Sequence, residues 1–328
     1  MYKIGVDLGG TNIATGVVDD NYRIIGKSVA KTHFESSATE IVNSIASSIY
    51  TAIDAAKVKL SDIEEIGVGI PGAVDSVCGI VKYSCNLDFH ETPVARLLSE
   101  KIGRTVYIEN DANAAAIGEY VAGVGKNAKI FVAITLGTGV GSGILINGSI
   151  FSGSNCAGAE LGHVCIELNG EMCKCGNYGC WEAYASATAL IRQTKYAMKR
   201  YPTSKMWELC QNQLENVTGK TAFDAMRLGD EAGEIVVNTY CGYVAVGVSN
   251  IINIFQPDVV CIGGGVANEG NTLLEPVIRI ARGNDHARNL EKKTAVRIAA
   301  LGNDAGIIGA AYIREHRLMQ ENQLNKRL

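Results

Sequence analysis

The sequence predicts a mixed α/β fold built from two topologically related domains that face each other across a cleft. Two observations carry this prediction. The chain opens with a strand, a glycine turn and a second strand, Ile4-Gly5-Val6-Asp7-Leu8-Gly9-Gly10-Thr11-Asn12 leading into Ala14-Thr15-Gly16-Val17-Val18. Much later, Val132-Ala133-Ile134-Thr135-Leu136-Gly137-Thr138-Gly139 lies over Ile4 to Thr11, and at the same offset Asn147-Gly148 falls on the turn Asp19-Asp20. Matching turns at matching spacing are the mark of a repeated unit. A ligand is expected in the cleft between two such units, and 328 residues suffice for two domains of ordinary size.

The remaining elements follow in order. Arg23 to Lys31 reads as a third extended run that completes an antiparallel meander. Ser37-Ala38-Thr39-Glu40 offers a capping box, and apolar residues at 41, 42, 45, 49, 52, 53 and 56 keep helical spacing behind it. Two strand-then-loop units come next, Ile66 to Gly72 and Thr105 to Asp111. The second runs into Ala112-Asn113-Ala114-Ala115-Ala116-Ile117-Gly118-Glu119, a good helix former. The uncharged stretch between Glu234 and Asp258 is long enough to raise the possibility of a membrane span. Asn238, Thr239, Ser249, Asn250 and Asn253 interrupt it, and a strand with a glycine turn, Val259 to Gly265, follows at once, so a buried helix is expected. A final helix is expected over about 305–320, ahead of a polar tail.

Composition narrows the function classes. The formal net charge is −4 and no basic block occurs, so neither a nucleic acid nor an anionic membrane is the expected partner. The first residues, Met1-Tyr2-Lys3-Ile4-Gly5-Val6-Asp7, place an aspartate where an export signal needs an apolar run. A cytoplasmic location is therefore expected. In that reducing compartment clustered thiols are more often metal ligands than disulfides. Of the ten cysteines, three cluster and seven (Cys78, Cys85, Cys156, Cys165, Cys210, Cys241, Cys261) read as small buried hydrophobes.

Three motifs carry chemistry. The turns Gly9-Gly10-Thr11 and Gly137-Thr138-Gly139 leave backbone amides open to a phosphate without a β-carbon in the way, and Asp7 at a strand end could hold magnesium through water. Neither turn is a Walker loop, because no Gly-Lys-Ser/Thr follows. Asp111 lies where a strand gives way to a helix and is either the general base of a phosphoryl transfer or a helix cap. Asn110 beside it is either a sugar ligand or a capping residue. Finally, Cys173, Cys175 and Cys180 with His163 form a Cys₃His set sufficient for one tetrahedral zinc, and Gly176 and Gly179 turn the chain between the thiols. Four protein ligands close such a site, so the metal is expected to order the loop and the nearby Glu160 and Glu182 rather than to activate water.

Taken together, Asp7-Leu8-Gly9-Gly10-Thr11, Glu109-Asn110-Asp111-Ala112-Asn113-Ala114, Leu136-Gly137-Thr138-Gly139, Glu160-Leu161-Gly162-His163 and Cys173-x-Cys175-Gly176-x-x-Gly179-Cys180-x-Glu182 resemble the ROK family of repressors and sugar kinases, most closely its bacterial glucokinases. The resemblance covers nearly the whole chain. It implies two ribonuclease H-like domains of actin/hexokinase type with an interdomain cleft and a zinc-binding loop, residues 1–112 with 305–328 forming the smaller and 113–304 the larger. It implies that Asp111 is the catalytic base on the sugar 6-hydroxyl, and that Asn110, Glu160, His163 and Glu182, with Asn86 and Gly72, bind the sugar. His163 would also ligate zinc with Cys173, Cys175 and Cys180. Asp7, Gly9, Gly10, Thr11, Gly137, Thr138, Gly139 and Gly264 would hold ATP and its Mg²⁺. Asn12 departs from the lysine that many relatives carry, which bears on the phosphate grip.

The resemblance thus implies ATP-dependent phosphorylation of glucose by a homo-oligomer, dimer or tetramer. A kinase for N-acetylmannosamine, N-acetylglucosamine or fructose is the alternative within the class, and a sugar sensor without turnover the alternative outside it. Repressors of the family carry a DNA-binding domain ahead of the first phosphate motif, which here begins at residue 5, so a repressor is not expected.

Overall fold

In the computed structural model, residues 1–32, 36–84 and 87–316 are described. The chain opens with β1 (Tyr2–Leu8), β2 (Asn12–Val18) and β3 (Ile24–Lys31), followed by α1 (Ala38–Ala56) and β4 (Ile63–Ile70). Three short strands follow, β5 (Ala73–Asp75), β6 (Ile80–Tyr83) and β7 (His90–Thr92), then α2 (Val94–Ile102), β8 (Val106–Asn110) and α3 (Asp111–Val121). After these come β9 (Ile130–Leu136), β10 (Val140–Ile146), β11 (Ser149–Ile150), α4 (Glu182–Ala185), α5 (Ala187–Arg200), α6 (Met206–Leu209) and α7 (Thr221–Arg227). The chain closes with α8 (Glu231–Phe255), β12 (Val259–Gly263), α9 (Asn271–Asn284), β13 (Ala295–Ile298) and α10 (Ala305–Ala311).

Sheet order bears out the repeat. The first sheet runs β3-β2-β1-β4-β8 and the second β11-β10-β9-β12-β13, which is the same order position for position. In the first, β1 to β3 are antiparallel while β4 and β8 join parallel. A third sheet, β5-β6-β7, is small and antiparallel. The chain clusters into two compact units, one of residues Met1–Ala133, Gly143–Ala159 and Ala300–Leu328, the other of Ile134–Ser142 and Glu160–Ala299. The division falls within β9 and within β10.

The core of the first unit follows from alternation and helical period. Ile4, Val6 and Leu8 of β1 are fully buried, with Ile66, Val68 and Ile70 of β4 beside them. Ile41, Ile45, Ile49 and Ala52 of α1 complete that layer, each isoleucine contributing roughly 1.5–3 kcal/mol by leaving water. The capping box at the start of α1 is formed, since Ser37 Oγ accepts the Glu40 N–H and Glu40 Oε2 accepts the Ser37 N–H at 2.8 Å. On the sheet, α10 lies flush against β1 and β4: a Cβ at Gly5 would meet Ile307 O at 1.8 Å, and one at Gly67 would meet Ala310 O at 1.9 Å. Glycine is required there for packing.

In the second unit α8 is the one helix among the described residues that is long and apolar enough to cross a membrane. Val236, Val237, Tyr240, Val244, Val248, Ile251 and Ile252 are buried, which makes it a core helix of this unit. Tyr240 donates its hydroxyl to Ala185 O at 2.7 Å, and Trp181 donates its indole N–H to Tyr243 O at 2.8 Å. The expected last helix is observed at Ala305–Ala311, with helical residues again at 313–316, and its expected end at 320 lies outside the described residues. The cysteines need a correction. Cys210, Cys241 and Cys261 are buried as expected, but Cys78 and Cys165 are exposed and Cys156 is half-buried, because these three occupy short loops rather than core elements. Cys85 lies outside the described residues.

Candidate functional site

The first unit carries Asp7, Gly9, Gly10, Thr11, Gly72, Asn110 and Asp111; the expected Asn86 lies outside the described residues. Gly9, Gly10 and Thr11 form the turn between β1 and β2, closed by the Gly9 N–H on Asn12 O at 2.9 Å. Thr32 steadies the turn by donating its hydroxyl to Gly9 O and its N–H to Thr11 O, both at 2.9 Å. Asp111 is the first residue of α3, directly after β8, so the sheet fixes its backbone.

Asn110 is the helix cap. Its Oδ1 accepts the N–H of Ala112 at 2.9 Å and of Asn113 at 3.1 Å, and its amide donates to Gly72 O at 3.0 Å. A cap of this kind is worth about 1 kcal/mol, and among the described residues the Asn110 amide group donates to Gly72 O alone. Gly72 has φ +116°, and a Cβ there would lie 2.2 Å from Tyr83 O, so glycine is needed where β4 turns into the small sheet. Two further residues of this unit escape a reading by motif. Glu109 is buried with Oε1 accepting the Asn110 N–H at 2.9 Å and the Asn113 side-chain amide at 3.0 Å. Both lie within the quoted motif, but only the fold shows that they lock the turn under Asp111.

Electrostatics separate these acids from surface carboxylates. Burial, and then the charge of Asp111, pushes Asp7 up to about 6. Burial also raises Asp111, opposed by its hydrogen bond from the Ala112 N–H at 2.9 Å. Two half-buried carboxylates, one of which feels the charge of the other, make a fitting position for a hydrated magnesium ion brought with a polyphosphate. A base whose pKa lies above the ordinary carboxylate range also accepts an alcohol proton more readily.

The second unit carries Gly137, Thr138, Gly139, Glu160, His163, Cys173, Cys175, Cys180, Glu182 and Gly264. Gly137 to Gly139 form the turn between β9 and β10, closed by the Gly137 N–H on Gly139 O at 3.0 Å. The start of α5 docks on it, Ala187 N–H to Gly137 O and Thr188 Oγ1 to Thr138 O, each at 2.8 Å. Glycine at 139 has a second reason beyond phosphate approach. A Cβ there would lie 2.3 Å from Glu182 Oε2, which accepts the Val140 N–H at 2.9 Å. Gly264, with φ +84°, turns the chain after β12, and a Cβ would meet Leu136 O at 2.5 Å.

Glu160, Leu161, Gly162 and His163 form a single 3-10 turn, with the His163 N–H on Glu160 O at 3.0 Å. Ser142 on β10 anchors it by accepting the Leu161 N–H at 3.0 Å, a role that no sequence motif announced. Cys173, Cys175 and Cys180 come from a tight hairpin in which Cys173 N–H reaches Asn177 O at 2.8 Å and Gly176 N–H reaches Cys173 O at 3.0 Å.

The ligand atoms of His163, Cys173, Cys175 and Cys180 all lie within 4.8 Å of one another. Cys173 Sγ is 3.7 Å from His163 Nδ1, and Cys175 Sγ is 3.6 Å from Cys180 Sγ. A zinc tetrahedron with about 2.3 Å Zn–S bonds has edges of about 3.8 Å, so the set fits that ion. Burial first, then the neighbouring sulfurs, pushes Cys180 up to about 12, and a divalent cation would supply the charge that ionises it. With Nδ1 toward the cysteines, His163 keeps Nε2 for another partner. Cys173 Sγ also lies 3.6 Å from Glu182 Oε1, so the cluster, Glu182 and the glycine turn are mechanically one assembly.

Comparison with known proteins bears on what this arrangement does. Residues 3–317 match the sequence profile of the ROK family. The glucokinase of Thermotoga maritima is 38% identical over 320 residues, covering 96% of this chain and 98% of the relative. Among solved structures, a ROK family glucokinase from Streptomyces griseus, determined with glucose and AMPPNP, superposes with a TM-score of 0.83 at 33% identity, covering 96% of this chain and 100% of that one. A ROK hexokinase from Thermus thermophilus gives 0.79 at 34% identity, covering 95% and 97%.

Proposed function

The chain belongs to the ROK family, and from that premise we propose that it is a glucokinase, transferring the terminal phosphoryl group of ATP to D-glucose to give ADP and D-glucose 6-phosphate. The observation that carries the reading is Asp111, a half-buried carboxylate fixed at the junction of β8 and α3 with its pKa raised above the ordinary range. In this role Asp111 takes the proton of the sugar 6-hydroxyl as that oxygen bonds to the γ-phosphorus and the bond from phosphorus to the bridging oxygen of ADP breaks. Such a base contributes about 10²- to 10⁴-fold.

The other roles follow from donor chemistry. Glu160 and Glu182 accept sugar hydroxyls, His163 uses Nε2 and Asn110 its remaining amide hydrogen. Gly9, Gly10, Thr11, Gly137, Thr138, Gly139 and Gly264 present backbone to the nucleotide, and Asp7 holds its magnesium through water. Magnesium bound with ATP would neutralise charge on the phosphates. Zinc, held by His163, Cys173, Cys175 and Cys180, would be structural, ordering the turn that presents His163 and the helix start that presents Glu182. Assembly as a homo-oligomer and a cytoplasmic location belong to the same proposal.

The test is a panel of hexoses and N-acetylhexosamines with ATP in a coupled ADP-release assay. Glucose is expected to give the highest kcat/KM, with phosphate on O6. Preference for N-acetylmannosamine, N-acetylglucosamine or fructose would move the substrate within the class. Binding of sugar by calorimetry with no turnover of any of them would replace the enzyme by a sensor.

A further inference from the structure

Cys165 stands outside the zinc motif, yet the structure sets it directly opposite one of the four candidate ligands. Trp181 donates its N–H to Val164 O at 2.9 Å and Ile166 donates its N–H to Gly179 O at 2.8 Å. Cys165 and Cys180 are therefore paired across an antiparallel bridge whose hydrogen bonds belong to their neighbours. Pairs of this kind bring the two Cα atoms to about 4.5 Å with both side chains on one face. A disulfide accepts Cα separations of roughly 4.4–6.8 Å, so the backbone stands in bridging range. Both thiols are free, Cys180 buried and Cys165 exposed. Of this pair, Cys165 is the thiol that a solute oxidant reaches; Cys175, also exposed, is itself one of the candidate metal ligands.

We propose that Cys165 is the entry point of an oxidative switch on the metal cluster, at which a peroxide oxidises Cys165 and Cys180 then closes a disulfide onto it. In the first step the Cys165 thiolate sulfur attacks a peroxide oxygen, the O–O bond breaks, and Cys165 becomes a sulfenic acid while the departing hydroxide takes up the proton that the thiol had released and leaves as water. In the second the Cys180 sulfur attacks the sulfenyl sulfur, the S–O bond breaks, and hydroxide leaves to take up the remaining proton as water. Two thiols and one hydrogen peroxide thus give one disulfide and two waters. The disulfide withdraws Cys180 from the donor set and leaves His163, Cys173 and Cys175, too few to close a structural zinc site. Thiols that reduce the bridge restore the fourth ligand. The consequence for zinc rests on the Cys₃His assignment, whereas the disulfide does not.

To test this, zinc-loaded protein is treated with a small excess of hydrogen peroxide. Released zinc is followed with a chromogenic chelator, and tryptic peptides are mapped by mass without reduction. The expected result is a peptide pair joined through Cys165 and Cys180, zinc release in step with its formation, and reversal of the bridge by dithiothreitol. Cys165→Ser should keep the kcat and zinc content of the untreated enzyme and release zinc at least about tenfold more slowly under the same peroxide. Equal release from the two proteins, or a bridge mapped to a different pair of cysteines, overturns the proposal. A purified protein without zinc would overturn the zinc assignment by itself, and the peptide map would still decide whether Cys165 and Cys180 bridge.

Discussion

Asp7 and Asp111 have their pKa values raised by the same leading cause, partial removal from water, and this gives them a readable pH signature. Asp7 is raised to about 6 by burial and then by Asp111; Asp111 is raised by burial. Between roughly pH 4 and 6 the folded chain therefore binds protons that the unfolded chain releases. The sign follows: stability falls as pH rises through that window, by on the order of 2–3 kcal/mol for Asp7. Urea titrations of the protein without nucleotide or magnesium should show this fall, and Asp7→Asn should flatten it; an unchanged slope in the variant would contradict the assignment. In turnover the sign is reversed, because a base must be ionised. The kcat should drop as pH falls, with an apparent pKa above that of an ordinary aspartate, measured as a pH–rate profile at saturating glucose and ATP. At this scale the sequence named Asp111, His163 and the three thiols, since motif spacing reports residue type. It left Asn110 between cap and ligand, because the bonds to Ala112, Asn113 and Gly72 exist only once β4, β8 and α3 are assembled. Cys165 reads as buried from residue type alone but lies on a short exposed loop, and its pairing with Cys180 is a bridge that no local spacing encodes.

Two elements, the cysteine hairpin and the turn after β12, should fail in different ways when altered. Cys175→Ser removes one donor from the cluster, so zinc occupancy should fall, the melting temperature should drop, and the KM for glucose should rise by about tenfold or more, while kcat falls less. Metal analysis and steady-state kinetics check it, and a variant that loses zinc but keeps its KM would separate the cluster from the sugar residues. Gly264→Ala places a Cβ against Leu136 O in a left-handed conformation, at a cost of at least about 2 kcal/mol. A shift of the urea midpoint worth less than about 0.5 kcal/mol would contradict that packing. The strands β1, β2, β9 and β10, the helix α1 with its capping box, and the core helix α8 were legible, because long periodic runs between turn residues leave few alternatives. The strands β5, β6 and β7 were not. They have three, four and three residues, too short for alternation to show, and their pairing depends on Gly72 turning the chain into them.

For the whole molecule, the repeat read from Ile4–Thr11 and Val132–Gly139 is realised as two sheets with one strand order, and the match to the ROK family runs over residues 3–317. The kinase activity is supported by the glucokinase relatives within the family, whereas preference among sugars depends on contacts that a shared motif does not distinguish. The central claim is that Asp111 works as a base and not merely as a helix residue. Its direct test is the steady-state comparison of wild type and Asp111→Asn with glucose and ATP, accompanied by calorimetric titration of glucose. The account predicts a loss of at least about 10²-fold in kcat with glucose affinity changed only a few-fold. Comparable losses in kcat and affinity, or a kcat that survives the substitution, would contradict it.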